Sequence, residues 1–424
     1  RVEDANRLQD FPGMGLVDWT TAETIILDLF TGMDGLGHAI RAALVARLLP
    51  SRLAVVQFET DEYCRSLLIE HSVPGFVLSG RRDEHGMVGS VLALVENSCA
   101  LLWEILRLPP RLRHVHIIAG SPCQGFSGAG QGHGFDDARS GLVWTIPYIA
   151  AQIREVFPLL GLGYLLENVS SMRPSHRDGI SRALDCQPIE VDANTVAACD
   201  RPRLFWLSTG EPSLRSEDVD PATVLDPGWR PLWELDPRRQ VRHQFRTFLR
   251  PFPPGIPREC PVEFARLPLA LYDARGLVYR PDASPSDLDM IRSLTRAAVD
   301  GSKKVLRIRG SPANKARVAL ARWIHTQGGD RALRPLSGDE RDRALGFPKG
   351  ASVAAAFVDD VDPGLEYRRW QVTGNAFSPV IIGQLLQPLF DAALSGATVP
   401  LSVRFPHYSS RDDVFLALKS ESSN

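Results

Sequence analysis

The sequence contains no apolar run near the roughly 20 residues that a bilayer-crossing helix needs, so no membrane role is expected. Cysteine is scarce and scattered: Cys64, Cys99, Cys123, Cys186, Cys199 and Cys260. None forms a CxxC pair or stands at zinc-ligand spacing with histidine, so no metal site is expected. Unpaired cysteines in a chain of 424 residues suit a reducing compartment, where most would be small buried hydrophobes. A strong charge of either sign is missing too. The 48 Lys and Arg against 50 Asp and Glu leave a net charge of −2, which by itself announces no nucleic-acid partner. The chain opens RVEDANRLQD, without Met and without a basic segment leading into an apolar one. A fragment of a soluble intracellular protein, lacking a signal peptide, is the expectation.

What is present is pattern. IILDLF, LAVVQFE, VHIIAGSP and YLLENV read as buried strands ending in polar or glycine-rich turns, and HAIRAALVARLL and TIPYIAAQIREVF between them read as helices. This alternation predicts an α/β fold with an open, largely parallel Rossmann-like sheet, whose ligands bind at the carboxyl ends of the strands. After about Thr209 the texture changes to Pro-rich turns such as PFPPGIP and RPDASPSD, with no βα alternation. From Arg230 to Arg334 basic residues, mostly arginine, outnumber acidic ones by roughly two to one. That segment can face phosphates, and arginine-rich genome composition explains the same excess. Helical pattern returns in LSGDERDRALGFP, where Ser337 and Glu340 form a capping-box spacing, and in TGNAFSPVIIGQLLQPLF. The expected layout is a lead-in over 1–23, a catalytic domain over 24–209 and 330–396, a smaller irregular recognition domain over 210–329, and a tail over 397–424.

The residues with chemical potential fall at strand ends. DLFTGMDGLG, Asp28 to Gly37, offers glycines that let a ligand approach the backbone at a helix N-terminus, although such a turn is often only a tight connection. Glu59 ends the second strand, where a carboxylate can accept from ribose hydroxyls; a merely solvated glutamate fits equally well. Cys123, in SPCQGFS, follows the strand VHIIAG and can act as a thiolate, whereas a lone cysteine is more often inert packing. Glu167 ends YLLENV, where desolvation favours a protonated acid or donor. Arg201 and Arg203 in RPR alternate onto one face, within reach of a base carbonyl and a phosphate.

Taken in order, these pieces resemble the cytosine-C5 DNA methyltransferase family. DLFTGMDGLG is similar to its motif I, Glu59 to the motif II acid, and SPCQGFS to motif IV with its Pro-Cys nucleophile. DDARSGLV is similar to motif V, ENV to motif VI, RPR to motif VIII, LSGDERDRALGFP to motif IX and TGNAFSPVI to motif X. The likeness spans about Thr24 to Leu389, with the irregular domain where that family keeps its target-recognition domain. The stretch from ENVSSMRP to RPRLFW most resembles the de novo, animal-type branch, and FRTFLRP (Phe245–Pro251) falls where that branch has a strand. TGNAF and PCQ follow the general pattern instead. Motif III departs from the family, with Gly80-Arg81-Arg82-Asp83 in place of Gly-Asp, and motif VIII lacks its leading glutamine, with Cys199 near that place.

The resemblance implies transfer of a methyl group from S-adenosyl-L-methionine to C5 of a flipped-out cytosine in double-stranded DNA, de novo and at CpG if the branch assignment holds. It implies Cys123 as nucleophile, Glu167 at N3 of the base, and Arg203, with Arg201 second, at O2. The cofactor would be held by Phe30, Thr31, Gly32, Met33, Asp34, Gly35, Glu59, Thr60, Asp83, Pro122, Asn375, Ala376 and Phe377. A homo-oligomer or regulatory partner is compatible with this. So is residence in the nucleus of a eukaryote, or in the cytoplasm otherwise. Two alternatives stand beside it: a tRNA cytosine-C5 methyltransferase, whose Cys-Phe-Thr signature is missing, and an inactive regulatory relative, which would lose Pro-Cys or Glu-Asn-Val.

Overall fold

The computed structural model describes residues 11–45, 52–127, 133–208, 212, 214–235, 245, 277–299, 331–357, 363–395 and 412–414. Seven strands build the main sheet: Thr24–Leu29 (β1), Leu53–Phe58 (β2), Phe76–Leu78 (β3), His114–Gly120 (β4), Gly161–Val169 (β5), Ile189–Asp192 (β6) and Pro202–Leu207 (β7). The helices are Gly35–Val45 (α1), Glu62–Glu70 (α2), Ala100–Leu106 (α3), Thr145–Val156 (α4), Pro174–Leu184 (α5), Pro285–Val299 (α6), Gly338–Leu345 (α7), Pro363–Asn375 (α8), Pro379–Leu385 (α9) and Gln387–Ser395 (α10). None of the described helices is long and apolar enough to cross a membrane.

Contacts divide the chain into two compact units. The first comprises Arg1–Asp192, Pro202–Arg215 and Pro379–Asn424. Its sheet runs β3-β2-β1-β4-β5-β7-β6. Neighbours from β3 to β5 are parallel, and β7 is antiparallel to both β5 and β6. Every residue of β1 and β2 is buried, as strands covered by helices on both faces require. The doubly wound α/β sheet expected from the alternating pattern is therefore present. Its strand order reverses between β1 and β4. The chain steps outward from β1 to β2 and β3, then returns to the other side of β1, leaving a crevice at the carboxyl ends of β1 and β4.

Local sequence explains the helix ends. The Asp61 side chain accepts from the Cys64 N–H to cap α2, and Pro174 takes the first position of α5. Helix α4 buries all of its first seven residues because TIPYIAA carries no charge. Strand β7 begins at Pro202, two residues before the apolar run LFWL, which makes Arg203 a strand residue. Cys64, Cys99 and Cys199 are buried as expected, while Cys123 and Cys186 are half-buried.

The second unit comprises Ala193–Arg201 and Ser216–Ser378. A small antiparallel sheet joins Leu333–Pro335 (β10), Leu277–Tyr279 (β9) and Arg230–Pro231 (β8). Ser337 and Glu340 close the capping box expected at α7, and Gly346 ends that helix with a φ of 94°. Most of the arginine-rich stretch, FRTFLRP beyond Phe245, and the terminal KSESSN lie outside the described residues.

Candidate active site

The site of the first unit grows from the register of β4, β5 and β7. Gly120, the last residue of β4, pairs with Glu167 of β5, and Glu167 pairs with Phe205 of β7. Cys123 follows Gly120 by three residues on the turn that leaves β4, half-buried, where a thiol can be reached. Arg203 pairs with Val169, two residues from Glu167, so both side chains emerge on one face of the sheet. They meet there: the Arg203 Nε lies 2.8 Å from the Glu167 Oε1, with both side chains largely shielded from solvent.

Three contacts hold the Cys123 turn. The Cys123 carbonyl accepts from the Phe126 and Ser127 N–H groups, and the Ser140 hydroxyl accepts from the Gly125 N–H at 2.9 Å. The third contact comes from Asn168 of β5, which is fully buried. Its amide donates to the Ser121 Oγ at 3.0 Å and to the Ser121 carbonyl at 3.3 Å, and its Oδ1 accepts from the Val169 N–H at 2.8 Å. Behind the turn, Phe126, Phe135 and Trp144 stack in sequence at 5.1 and 4.6 Å between ring centroids, and His176 sits against both phenylalanines. Arg139 forks onto Asp137. That pairing raises the Arg139 pKa and lowers that of Asp137 to about 2.

The cofactor-type residues form a second cluster, beyond β1 and β2. Phe30, Gly32 and Asp34 all have left-handed backbones, with φ of 62°, 62° and 68°, which folds the chain sharply between β1 and α1. Gly32 faces open space: a Cβ there would meet nothing closer than the Phe30 carbonyl at 4.0 Å. The Glu59 carboxylate reaches across and accepts from the Gly32 N–H at 2.7 Å, and from the Thr60 and Asp61 N–H groups at 2.8 Å each. Burial raises the Glu59 pKa, while those backbone donors pull it back. Thr31 donates to the Asp28 carbonyl and turns inward. This cradle, with an acid beside an unfilled glycine surface, fits the ribose and backbone-contacting part of an adenosyl cofactor.

Three of the expected cofactor residues are placed differently from a ligand contact. Met33 is fully buried in the core. Asp34 is buried and holds Arg41 at 2.6 Å and the Gln57 amide at 2.8 Å, behind the turn rather than over it. Asp83 lies in the loop after β3, at the correct end of the sheet, and accepts from the His85 and Met87 N–H groups at 2.9 and 2.8 Å. Gly35 starts α1, and Pro122 precedes Cys123 on the turn.

Trp103 to Leu184 carry the sequence signal. Residues 103–184 match the model described as C-5 cytosine-specific DNA methylase. That range runs from α3 through Cys123 and Glu167 to the end of α5. None of the curated proteins matches the chain. Among solved structures it is similar to the crystal structure of the S. pombe Dnmt2 methyltransferase, at 10% identity and a TM-score of 0.39, over 86% of this chain and 99% of that one.

The remaining expected residues lie in the second unit. Arg201 is buried, and its guanidinium donates to the Gly374 carbonyl at 2.9 Å and the Ala376 carbonyl at 2.6 Å. It braces the TGNAF segment, in which Asn375 is exposed and Ala376 and Phe377 are buried. Cys199 is buried and bridges to Phe245. Sequence reading passed over Asn168, Ser140 and Arg139 as individual site residues. All three stand inside segments it singled out, ENV and DDARSGLV, but nothing in residue type reveals that Asn168 and Ser140 fix the cysteine turn.

Proposed function

We propose that this chain is a cytosine-C5 methyltransferase acting on double-stranded DNA. The observation that carries the reading is the placement of Cys123 on the turn after β4, one strand from the Glu167–Arg203 pair, inside the segment that matches the C-5 cytosine-specific DNA methylase model.

The chemistry follows from the ring. C5 of cytosine is a poor nucleophile until a thiolate adds to C6. The Cys123 sulfur forms that bond, and its electron pair moves the ring towards an enamine whose C5 is nucleophilic. Glu167 stands at the N3 edge and Arg203 donates to the O2 side, so the negative charge that develops towards O2 meets a fixed cation. The Phe30–Gly32 turn, Glu59 and Thr60 would hold S-adenosyl-L-methionine, whose sulfonium would supply the methyl group to C5 and leave as the neutral thioether S-adenosyl-L-homocysteine. Loss of the C5 proton then expels the Cys123 sulfur and restores aromaticity. Reaching C5 and C6 requires the base to leave the duplex, at a cost of a few kcal/mol. The arginine-rich stretch from Arg230 to Arg334 offsets part of that cost through phosphates. Activity on unmethylated DNA, with CpG as context, is the finer reading, supported by the likeness of ENVSSMRP through RPRLFW to the de novo branch.

The test is transfer of labelled methyl from S-adenosyl-L-methionine to unmethylated duplex DNA and, in parallel, to tRNA. Label in DNA cytosine, reduced at least roughly 10⁴-fold in Cys123→Ala, is the expected result. Label in tRNA alone replaces the substrate and keeps the mechanism, and undiminished transfer by Cys123→Ala overturns the mechanism.

A further inference from the structure

Behind the cofactor-type turn, three ligand-type side chains from two helices converge. Asp34 closes the turn before α1, His38 stands one helical turn further on, and His71 caps the C-terminus of α2. One donor atom from each lies within 4.8 Å of the other two. The imidazoles meet edge to face, with centroids 5.7 Å apart. The Asp34 carboxylate is buried, and both rings are half-buried. A buried His71 Nδ1 has no hydrogen-bond partner among the described residues, a donor or acceptor position that this packing leaves unexplained.

We propose that Asp34, His38 and His71 form a binding site for a divalent transition cation of the zinc class. Two imidazoles and one carboxylate are a donor set that such ions accept, with a fourth position left for water. Tetrahedral bonds of about 2.0–2.1 Å hold donors roughly 3.3 Å apart, so donor pairs that lie within 4.8 Å need to approach by at most about 1.5 Å to close on an ion. Each Asp34 oxygen spends one lone pair, on the Gln57 amide or on Arg41, and keeps a second. The Gln57 and Arg41 contacts orient the carboxylate as hydrogen bonds to a ligating group do. Gly37 is required beside it, since a Cβ there would fall 2.1 Å from the Asp34 Oδ1. Arg41 also sets the limit on affinity, because its guanidinium repels a cation at the same carboxylate. No spacing in the sequence signals this cluster: Asp34 and His38 are four residues apart, and His71 arrives only when α2 packs beside α1. A bound ion would tie the two helices together at the back of the Phe30–Asp34 turn. The site is independent of the methyl-transfer reading.

The experiment is titration of the untagged, chelator-treated full chain with Zn²⁺ by calorimetry and with Co²⁺ by visible absorption. His71→Ala, Arg41→Gln and, as a control, His85→Ala are titrated alongside, with near-ultraviolet dichroism to confirm folding. The wild type and His85→Ala should bind one equivalent with the same affinity, and Co²⁺ should develop the absorption of a tetrahedral site. His71→Ala should bind about tenfold more weakly or worse, and Arg41→Gln should bind more tightly. Absence of saturable binding to the wild type, or zinc bound equally well by His71→Ala, overturns the proposal.

Discussion

At the residue scale, Asn168 ties the turn that carries Cys123 to β5. It spends all of its polar capacity locally, with two donors on Ser121 and its oxygen on the Val169 N–H, in a fully buried setting. Aspartate could accept but not donate there, and alanine would leave the Ser121 carbonyl facing apolar packing. Asn168→Ala should therefore cost about 1–3 kcal/mol in urea unfolding. Methyl transfer should fall in kcat more than in KM for DNA, because the turn that aims Cys123 loosens while Asn168, fully buried, touches no substrate. Equal loss in both parameters would show instead that Asn168 serves binding. Ser140 belongs with Asn168: it accepts from the Gly125 N–H at the turn, and it too was visible only as part of a motif.

At the scale of elements, β4 carries a liability that follows from its place in the middle of the sheet. His114 and His116 stack at 6.2 Å between centroids, each over a glycine of β5 whose Cβ would strike the ring. Burial pushes His116 down to about 3, with His114 beside it lowering it further. The folded state therefore stays neutral while the unfolded chain takes up a proton below about pH 6.5. The folded pKa is the depressed one, so this contribution is intact above pH 6.5 and is lost progressively down towards pH 3. At pH 5 the loss from His116 alone approaches roughly 2 kcal/mol. His116→Gln should narrow the gap between urea midpoints measured at pH 8 and pH 5. An unchanged gap would place the acid sensitivity elsewhere. In the second unit, α7 and α8 are joined by charge instead. Asp342 is fully buried and accepts from Ser352, Thr373 and Arg369, and Arg369 also reaches Asp339 and Glu366. Removing one member strands the rest: Arg369→Met should destabilise this unit by about 3–5 kcal/mol in denaturant unfolding. A cost below about 1 kcal/mol would mean that water or a rearranged partner satisfies Asp342.

At the scale of the whole molecule, the proposed activity requires bringing a duplex to a chain whose net charge is only −2. On that proposal, the excess of arginine between Arg230 and Arg334 would make binding a matter of counterion release rather than of net charge. Affinity for duplex DNA should fall linearly on a log–log plot against salt, with a slope that changes little between cognate and unrelated sequences. Fluorescence anisotropy between about 50 and 200 mM salt measures it. A flat salt dependence would remove phosphate contact as the source of affinity.

The sequence by itself determined the alternating strands and helices, the Ser337 capping box and the strand-end positions of Glu59, Cys123 and Glu167. Each of these rests on local pattern: hydrophobic period, capping spacing, and the rule that turns follow buried strands. The tertiary structure alone decided the rest, because pairing register and helix packing join residues far apart in the chain. Register set Arg203 against Glu167, 36 residues earlier in the sequence, and sent Asn168 across to Ser121. Packing turned Asp34 away from the cofactor-type cradle towards Arg41 and two histidines, and spent the donors of Arg201 on the backbone of TGNAF. A side chain's type limits what it can bind. Only the neighbours that folding supplies decide which of those bonds it makes.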